Sequence, residues 1–496
     1  MPISFKELYE NNNNLLIFGT GDTCERFVLN LKGYGFITER VFIWDIAQVY
    51  PNGLHGYKTL TAPDFTAEEL AKTITIIALE AAVLNELIGE NFQEIFEGFG
   101  LKIVIHYSDI RWTVSTLTDG VFENKAYTDV SYQDDIDFSG QIPLVKSIAY
   151  YLPQFHEIPE NNEWWGDGFT EWANTKKARP KFDGHYQPKE PHDDLGYYDL
   201  SDAETIRKQA QMARRHGIYG WCMYYYWFSG KKLLFKPFDL LLENKDIDIN
   251  FCIMWCNETW TKSWVGVSSE ELIKCDYKED DAENFIDDLQ KYIEDERYIR
   301  IAGKPLICIY KTDIPELGDF IRRLRKRAED IGIGEIYILS ALPAFFTSDE
   351  KTRQYFDGEY AFCPIFYSPD VNTILDKSNN CITRLARRQS QWIGDYKRIF
   401  EAGNHQAYLS CMCGWDNSPR YEKNFAVFDI DLSLRNFYDL VKYVTEEAKE
   451  HNKEFIFVFA WNEWAEGAYL EPDRRFGYAV LNTFSKAVCG IPVEKE

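Results

Sequence analysis

The chain has 496 residues, more than one hydrophobic core usually serves, so two domains are expected. Its 79 acidic against 54 basic side chains leave a formal charge of −25, which argues against nucleic acid or an anionic membrane surface as a partner, because both want basic patches. No apolar run approaches the roughly 18–20 residues of a membrane span.

The first residues, Met1 to Glu10, lack the basic region and apolar core of a secretory signal. Eleven cysteines, an odd number, show no framework spacing, and Cys222, Cys252, Cys308 and Cys363 interrupt apolar runs where a reduced thiol behaves as a small hydrophobe. Cys411 and Cys413 flank a single Met, too close for a zinc ribbon pair. These features read as a cytoplasmic chain.

From Asn14 to Tyr107 the pattern is that of a small α/β unit. Leu15–Phe18 is a buried strand that runs into Gly19-Thr-Gly21, followed by a helical stretch over Glu25–Leu31. Further strands are expected at Val41–Trp44, ending on Asp45, at Ile74–Leu79 and at Lys102–Tyr107, the last after a helix around Leu84–Phe96. Strand, glycine turn, helix, strand, acid is the order of a dinucleotide-binding half, with Gly19, Gly21 and Asp45 as the residues that would meet a nucleotide or nucleotide sugar. Cys24 stands where the third glycine would be, so the unit is equally readable as a scaffold that holds no ligand. Residues 1–110 are expected to form this Rossmann-like domain and residues 111–142 a linker.

Residues 143–496 repeat strand, polar loop and helix. Strands are expected at Ser147–Leu152, Tyr219–Tyr226, Asn250–Cys256, Pro305–Tyr310, Glu335–Ser340, Gly358–Cys363, Ala407–Cys413 and Phe455–Ala460. Ser201 and Glu204 have capping-box spacing at the head of a helix that Gly217 ends. Eight such strands with helices between them predict an α/β fold of the (β/α)8 TIM-barrel type, whose chemistry gathers after the C-terminal ends of the strands.

Those strand ends are rich in polar groups interleaved with aromatic rings. They carry Tyr150, Gln154 and His156, then Glu171 and Trp172, then Tyr225, Asn257, Glu258 and Trp260, and finally Trp415, Asp416, Arg420 and Asn462. The last strand, apolar at every position from Phe455 to Phe459, gives way to Trp461-Asn-Glu-Trp-Ala-Glu466. Paired carboxylates such as Glu463 and Glu466 suit a glycosidic bond, where one protonates a leaving oxygen and the other assists the reacting centre. Indoles such as Trp461, Trp464, Trp172, Trp260 and Trp415 suit the apolar face of a sugar ring; the competing reading makes them core filler. No His, Asp or Glu cluster has ligand spacing, and His156 and His192 stand alone, so no metal and no cofactor is expected in the barrel.

The motifs Tyr150-Tyr-Leu-Pro-Gln-Phe-His156, Trp164 to Trp172, Asn257-Glu258, Gly414-Trp-Asp-Asn417 and Trp461 to Gly467 with Leu470-Glu-Pro-Asp473 resemble the WbsX-type proteins, over about residues 146–490. That family is named for glycosyltransferases of lipopolysaccharide and capsule clusters, and its barrel is similar to that of the family 99 glycoside hydrolases, the endo-α-mannosidases. The resemblance implies an enzyme acting on an oligosaccharide or polysaccharide by a retaining, metal-independent route. Glu463 would be the base that deprotonates a sugar 2-hydroxyl to form an epoxide-like intermediate, and Glu466 the acid that protonates the leaving oxygen. Ala465 stands where family 99 has His, a departure that bears on the mannosidase substrate and leaves both carboxylates in place. Two alternatives stay open: a sugar-nucleotide-dependent transferase, and a catalytically silent glycan-binding barrel.

Overall fold

The computed structural model describes residues 14–19, 41–45, 57–61, 65, 66, 69, 73–77 and 103–106 with Cys24 and Val28, and then 130–180, 185–261, 271–342, 353–362, 372–376, 381–389, 393, 407–420, 428–430 and 432–493. The chain divides into two compact units, Met1–Phe122 with Pro369–Thr373, and Glu123–Ser368 with Ile374–Glu496.

The first unit holds a five-stranded parallel sheet of β1 (Leu15–Phe18), β2 (Val41–Trp44), β3 (Lys58–Leu60), β4 (Ile74–Ile77) and β5 (Ile103–His106). The strand order is β3-β2-β1-β4-β5, the doubly wound order of one mononucleotide half. Leu15, Leu16 and Ile17 are all buried, as a run covered on both faces must be. Gly19 follows the C-terminal end of β1, and buried Asp45 follows β2, its backbone N–H donating to Leu60 O at 2.8 Å. Strand β3, with Lys and Thr in its three residues, is too short and polar to stand out in the sequence. Gly21 and the helix expected around Leu84–Phe96 lie outside the described residues, and the helix over Glu25–Leu31 is described only at Val28, which is helical and buried.

The second unit is an α/β barrel. Its eight parallel strands are β6 (Lys146–Tyr151), β7 (Gly220–Phe228), β8 (Asn250–Trp255), β9 (Lys304–Ile309), β10 (Tyr337–Leu342), β11 (Gly358–Ala361), β12 (Ser410–Met412) and β13 (Phe455–Phe459). They run in order from β12 through β13, β6, β7, β8, β9 and β10 to β11. The ring closes between its two ends, where Ala361 N–H donates to Tyr408 O and Tyr408 N–H to Glu359 O, both at 2.8 Å. Every expected barrel strand is present within a few residues of its expected bounds.

Side chains alternate between the bore and the helix layer. Tyr150 stacks on Phe457 inside, with ring centroids 5.4 Å apart and an interplanar angle of 12°. Trp255 points outward onto Phe285 of helix α1 (Asp281–Ile293) and Phe320 of helix α2 (Leu317–Asp330), at 4.7 and 4.8 Å. Gly220 sits where β7 and β8 approach so closely that a Cβ would lie 2.6 Å from Asn250 O. The helix Ala203–Arg215 is capped by Asp202, whose carboxylate accepts Glu204 N–H at 3.0 Å, rather than by Ser201. The nine described cysteines are free thiols, most of them buried.

Residues 130–142, expected as linker, are stitched to the barrel. Gln133 N–H donates to Phe476 O at 3.1 Å, Tyr478 N–H donates back to Gln133 O at 2.9 Å, and Asp135 pairs with Arg215. Asn482 donates to Asp134 O at 2.9 Å. Among the described residues no helix is long and apolar enough to cross a membrane.

Candidate active site

The loop after β13 is built to turn two carboxylates inward at the mouth of the bore. Asn462 and Glu463 pair antiparallel with Ala468 and Tyr469, and the single turn Trp464–Glu466 joins them. Gly467 ends that turn at φ 64°, the left-handed region, and a Cβ there would lie 2.2 Å from Lys189 Nζ and 2.9 Å from Asp416 Cβ. Asn462 ties the loop to β6: its Oδ1 accepts Leu152 N–H at 2.7 Å and its Nδ2 donates to Leu152 O at 3.0 Å. Beneath, buried Glu471 accepts from Trp464 Nε1 at 2.6 Å, Gln209 Nε2 at 2.6 Å and Tyr198 OH at 2.8 Å. Burial raises its pKa to about 7 despite those donors.

Arg420, from the turn after β12, gathers the acids. Its Nη1 lies 2.5 Å from Glu466 Oε1, its Nε 3.0 Å from Glu171 Oε1, and its Nη2 3.4 Å from Glu463 Oε2. All four side chains are nearly buried, at 12% exposure or less. Three carboxylates on one guanidinium would leave a net charge of −2 in a low-dielectric place, so the cluster takes up a proton. Burial, and then the charge of Glu466, hold Glu463 well above the usual carboxylate range against the pull of Arg420. Burial also raises Glu466, but Arg420 opposes it directly. The shorter contact to Arg420 favours the ionised form of Glu466 more than that of Glu463.

The other residues singled out in the sequence divide into those at the mouth and those elsewhere. Gln154 is half-buried and donates to Tyr226 OH at 3.1 Å, and Trp260 meets the Tyr226 ring edge-on at 4.8 Å. Trp415 is half-buried against Phe459, with centroids 5.8 Å apart. Glu258 is half-buried, and burial raises its pKa to about 7 with Lys311 pulling the other way. Asn257 is spent on structure: it accepts Lys311 N–H and donates to Lys311 O, both at 2.7 Å. Asp416 is also a clasp, 2.9 Å from His185 Nε2 and 2.5 Å from Gln187 Nε2; burial pushes its carboxyl up, but His185 and Lys189 more than offset this and hold it well below the usual range.

Expectations for six residues are corrected by packing. Trp172 is buried among Phe155, Tyr198 and Trp464, and its Nε1 donates to Tyr198 O at 2.8 Å, so it is core rather than cleft wall. Trp464, stacked on Tyr469 at 3.9 Å, and Trp461 are fully buried too. Tyr225 points outward into the helix layer, where its hydroxyl donates to Asp288 at 2.5 Å. Tyr150 fills the bore and donates to Ala361 O at 3.1 Å, and buried His156 has its pKa lowered by burial.

Residues 147–484 match the protein family described as Glyco_tran_WbsX, glycosyltransferase WbsX. The chain belongs to the WbsX glycosyltransferase family. Among its relatives is the uncharacterized protein WxcX of Xanthomonas campestris pv. campestris, in strains ATCC 33913 and B100, 36% identical over 359 residues that cover 70% of this chain and 50% of that protein. The chain thus spans about half the length of the curated relatives it matches. Similar solved structures include the GH99 endo-alpha-mannosidase from Bacteroides thetaiotaomicron, 16% identical, covering 69% of this chain and 96% of that one, with a TM-score of 0.42. A glycoside hydrolase-like protein is 13% identical over 72% of this chain and 97% of that one, with a TM-score of 0.45. At those identities the likeness says nothing of substrate or mechanism.

The family description names a glycosyltransferase. Among the described residues no group of His, Cys, Asp or Glu is arranged to hold a metal ion. Sequence reading missed one residue of the mouth. Tyr224 occupies the inward phase of β7, its hydroxyl is buried, and it faces Glu463 while falling outside strict hydrogen-bond geometry. The signal was the run Tyr224-Tyr-Tyr226 itself, in which only alternate members can face the bore.

Proposed function

We propose that this WbsX-family enzyme cleaves or transfers across a glycosidic bond of an oligosaccharide or polysaccharide, with Glu463 and Glu466 as the working carboxyls. One observation carries the reading: two carboxyls three residues apart share a buried guanidinium at the C-terminal mouth of a closed barrel. A pair that holds one proton between two sites supplies an acid and a base for the same bond. Following the resemblance, Glu466 protonates the leaving oxygen while Glu463 takes the proton of the neighbouring sugar hydroxyl. For these roles the shared proton has to sit on Glu466, with Glu463 ionised, when substrate is bound. Trp260 and Trp415, half-buried at the rim, are the rings available to cover a pyranose, with Gln154 and Glu258 as polar partners. The setting in surface-polysaccharide metabolism rests on the same resemblance.

A second reading is favoured by a separate observation. The first unit has the strand order of a mononucleotide half, with Gly19 and Asp45 at adjoining strand ends, and the family description names transfer. On that reading the donor is a sugar nucleotide. The test incubates the full chain with neutral oligosaccharides, and separately with sugar nucleotides and an acceptor, with and without EDTA, and identifies products by mass spectrometry. Oligosaccharide products that persist in EDTA and vanish in the Glu466→Gln variant support the first reading. Products that require a sugar nucleotide support the second, and no product from any mixture overturns both.

A further inference from the structure

Tyr224 lies on the bore side of β7, above the Tyr150 ring and beside Phe362 and Tyr226, with centroids 6.4, 6.2 and 6.4 Å away. Its hydroxyl oxygen is buried and has no hydrogen-bond partner among the described residues. A buried phenol without a partner gives up the free energy of a hydrogen bond, a cost that proteins seldom carry without use. The groups around Glu463 are Glu466 and Arg420 from the two loops on one side, Glu171 from another, and Tyr224, Tyr226 and Cys256 from β7 and the end of β8. Only Arg420 is a cation among them. The other donors, Tyr226 and Cys256, act on Glu463 at a distance, and the Cys256 thiol already donates to Met254 O. Tyr224 is therefore the neutral donor best set to stabilise an ionised Glu463 in a place that excludes water.

We propose that Tyr224 is a positioning residue that decides which carboxyl of the pair holds the shared proton, by donating its hydroxyl hydrogen to the Glu463 carboxylate. When Tyr224 donates, Glu463 can stay ionised and the proton crosses to Glu466, the form in which Glu466 protonates a leaving oxygen and Glu463 accepts a hydroxyl proton. The proton is only redistributed, and no bond to Tyr224 forms or breaks. The inference rests on the reading of the pair given above, yet it predicts a property of the free protein that needs no substrate.

The experiment labels the glutamate side-chain carboxyl carbons with ¹³C, assigns Glu463 and Glu466 with the Glu463→Gln and Glu466→Gln variants, and titrates both by NMR. In Tyr224→Phe, which removes only the hydroxyl, the Glu463 midpoint should rise by roughly one pH unit, about a tenfold gain in proton affinity, and the Glu466 midpoint should fall. A fluorinated tyrosine placed at 224 keeps the ring and makes a stronger donor, so it should move Glu463 downward. That second variant covers the case in which Tyr224→Phe does not fold. Unchanged midpoints in either folded variant, or shifts of the same sign in both, overturn the proposal. If the midpoints move as stated while no glycan is processed, the role of Tyr224 stands and the glycosidic reading fails. If glycans are processed and the midpoints do not move, the reverse holds.

Discussion

Replacing Arg420 by Met leaves three nearly buried carboxyls, Glu171, Glu463 and Glu466, without the cation they share. Removing one partner of a buried ion pair costs about 3–5 kcal/mol, because the charge left behind has neither water nor a counterion. The cost has a pH signature. Without the guanidinium the Glu463 and Glu466 carboxyls rise further above their ordinary value of 4.5. A group whose folded pKa exceeds its unfolded one contributes stability that is fully present below the unfolded value and is lost as pH rises through the folded value. The variant should therefore be destabilised most at about pH 8 and recover at about pH 5, by roughly 1.4 kcal/mol for each unit that a carboxyl is raised. Urea unfolding followed by tryptophan fluorescence, on wild type and variant at both pH values, reads the difference. A penalty equal at the two pH values, or below about 1 kcal/mol at the higher one, would refute the claim that Arg420 holds the charges of the cluster.

Three other outcomes follow from the packing. Glu471, raised to about 7 from 4.5, should make the wild type less stable above neutrality by up to roughly 3 kcal/mol, a dependence that Glu471→Gln should flatten in the same unfolding assay. Trp172→Ala should cost about 3–5 kcal/mol as a core truncation, whereas Trp415→Ala should leave the melting temperature nearly unchanged and weaken retention on glycan-containing gels; the opposite pattern would return Trp172 to the cleft. A chain beginning at residue 143 lacks the hydrogen bonds of Gln133 and Asp134 to the barrel and should melt well below one beginning at residue 130. Equal melting temperatures would show those contacts to be dispensable.

The barrel strands were legible because each is a short apolar run between polar loops, and burial on both faces leaves a signal that needs no phase. That same uniformity hid the phase. In Gly220–Phe228 every residue is buried, so nothing in the pattern said that Tyr224 rather than Tyr225 faces the bore. The carboxyls Glu463 and Glu466 were legible from their spacing after an apolar strand, and Arg420 from its nearness to Trp415 and Asp416. Their meeting on one guanidinium was not, since it joins residues up to 249 positions apart. The tryptophans misled for a physical reason. The loops at the mouth continue the barrel's own core, in which Trp172 packs on Trp464 and Trp464 on Tyr469, and an indole in a loop reads alike in a core and in a cleft. Asp202 displaced Ser201 as the cap because both residues are good caps and one position of register separates them.

The central claim is that Glu466 donates a proton to a leaving sugar oxygen with Glu463 as its partner. The most direct measurement compares wild type with Glu466→Gln on two glycosides of one sugar, an unactivated oligosaccharide and an activated aryl glycoside. On the oligosaccharide the variant should lose roughly 10²–10⁴ in rate, because a poor leaving group needs the proton. On the aryl glycoside the loss should be far smaller, since little protonation is required there. Equal losses on both substrates, or none on either, would contradict the role given to Glu466.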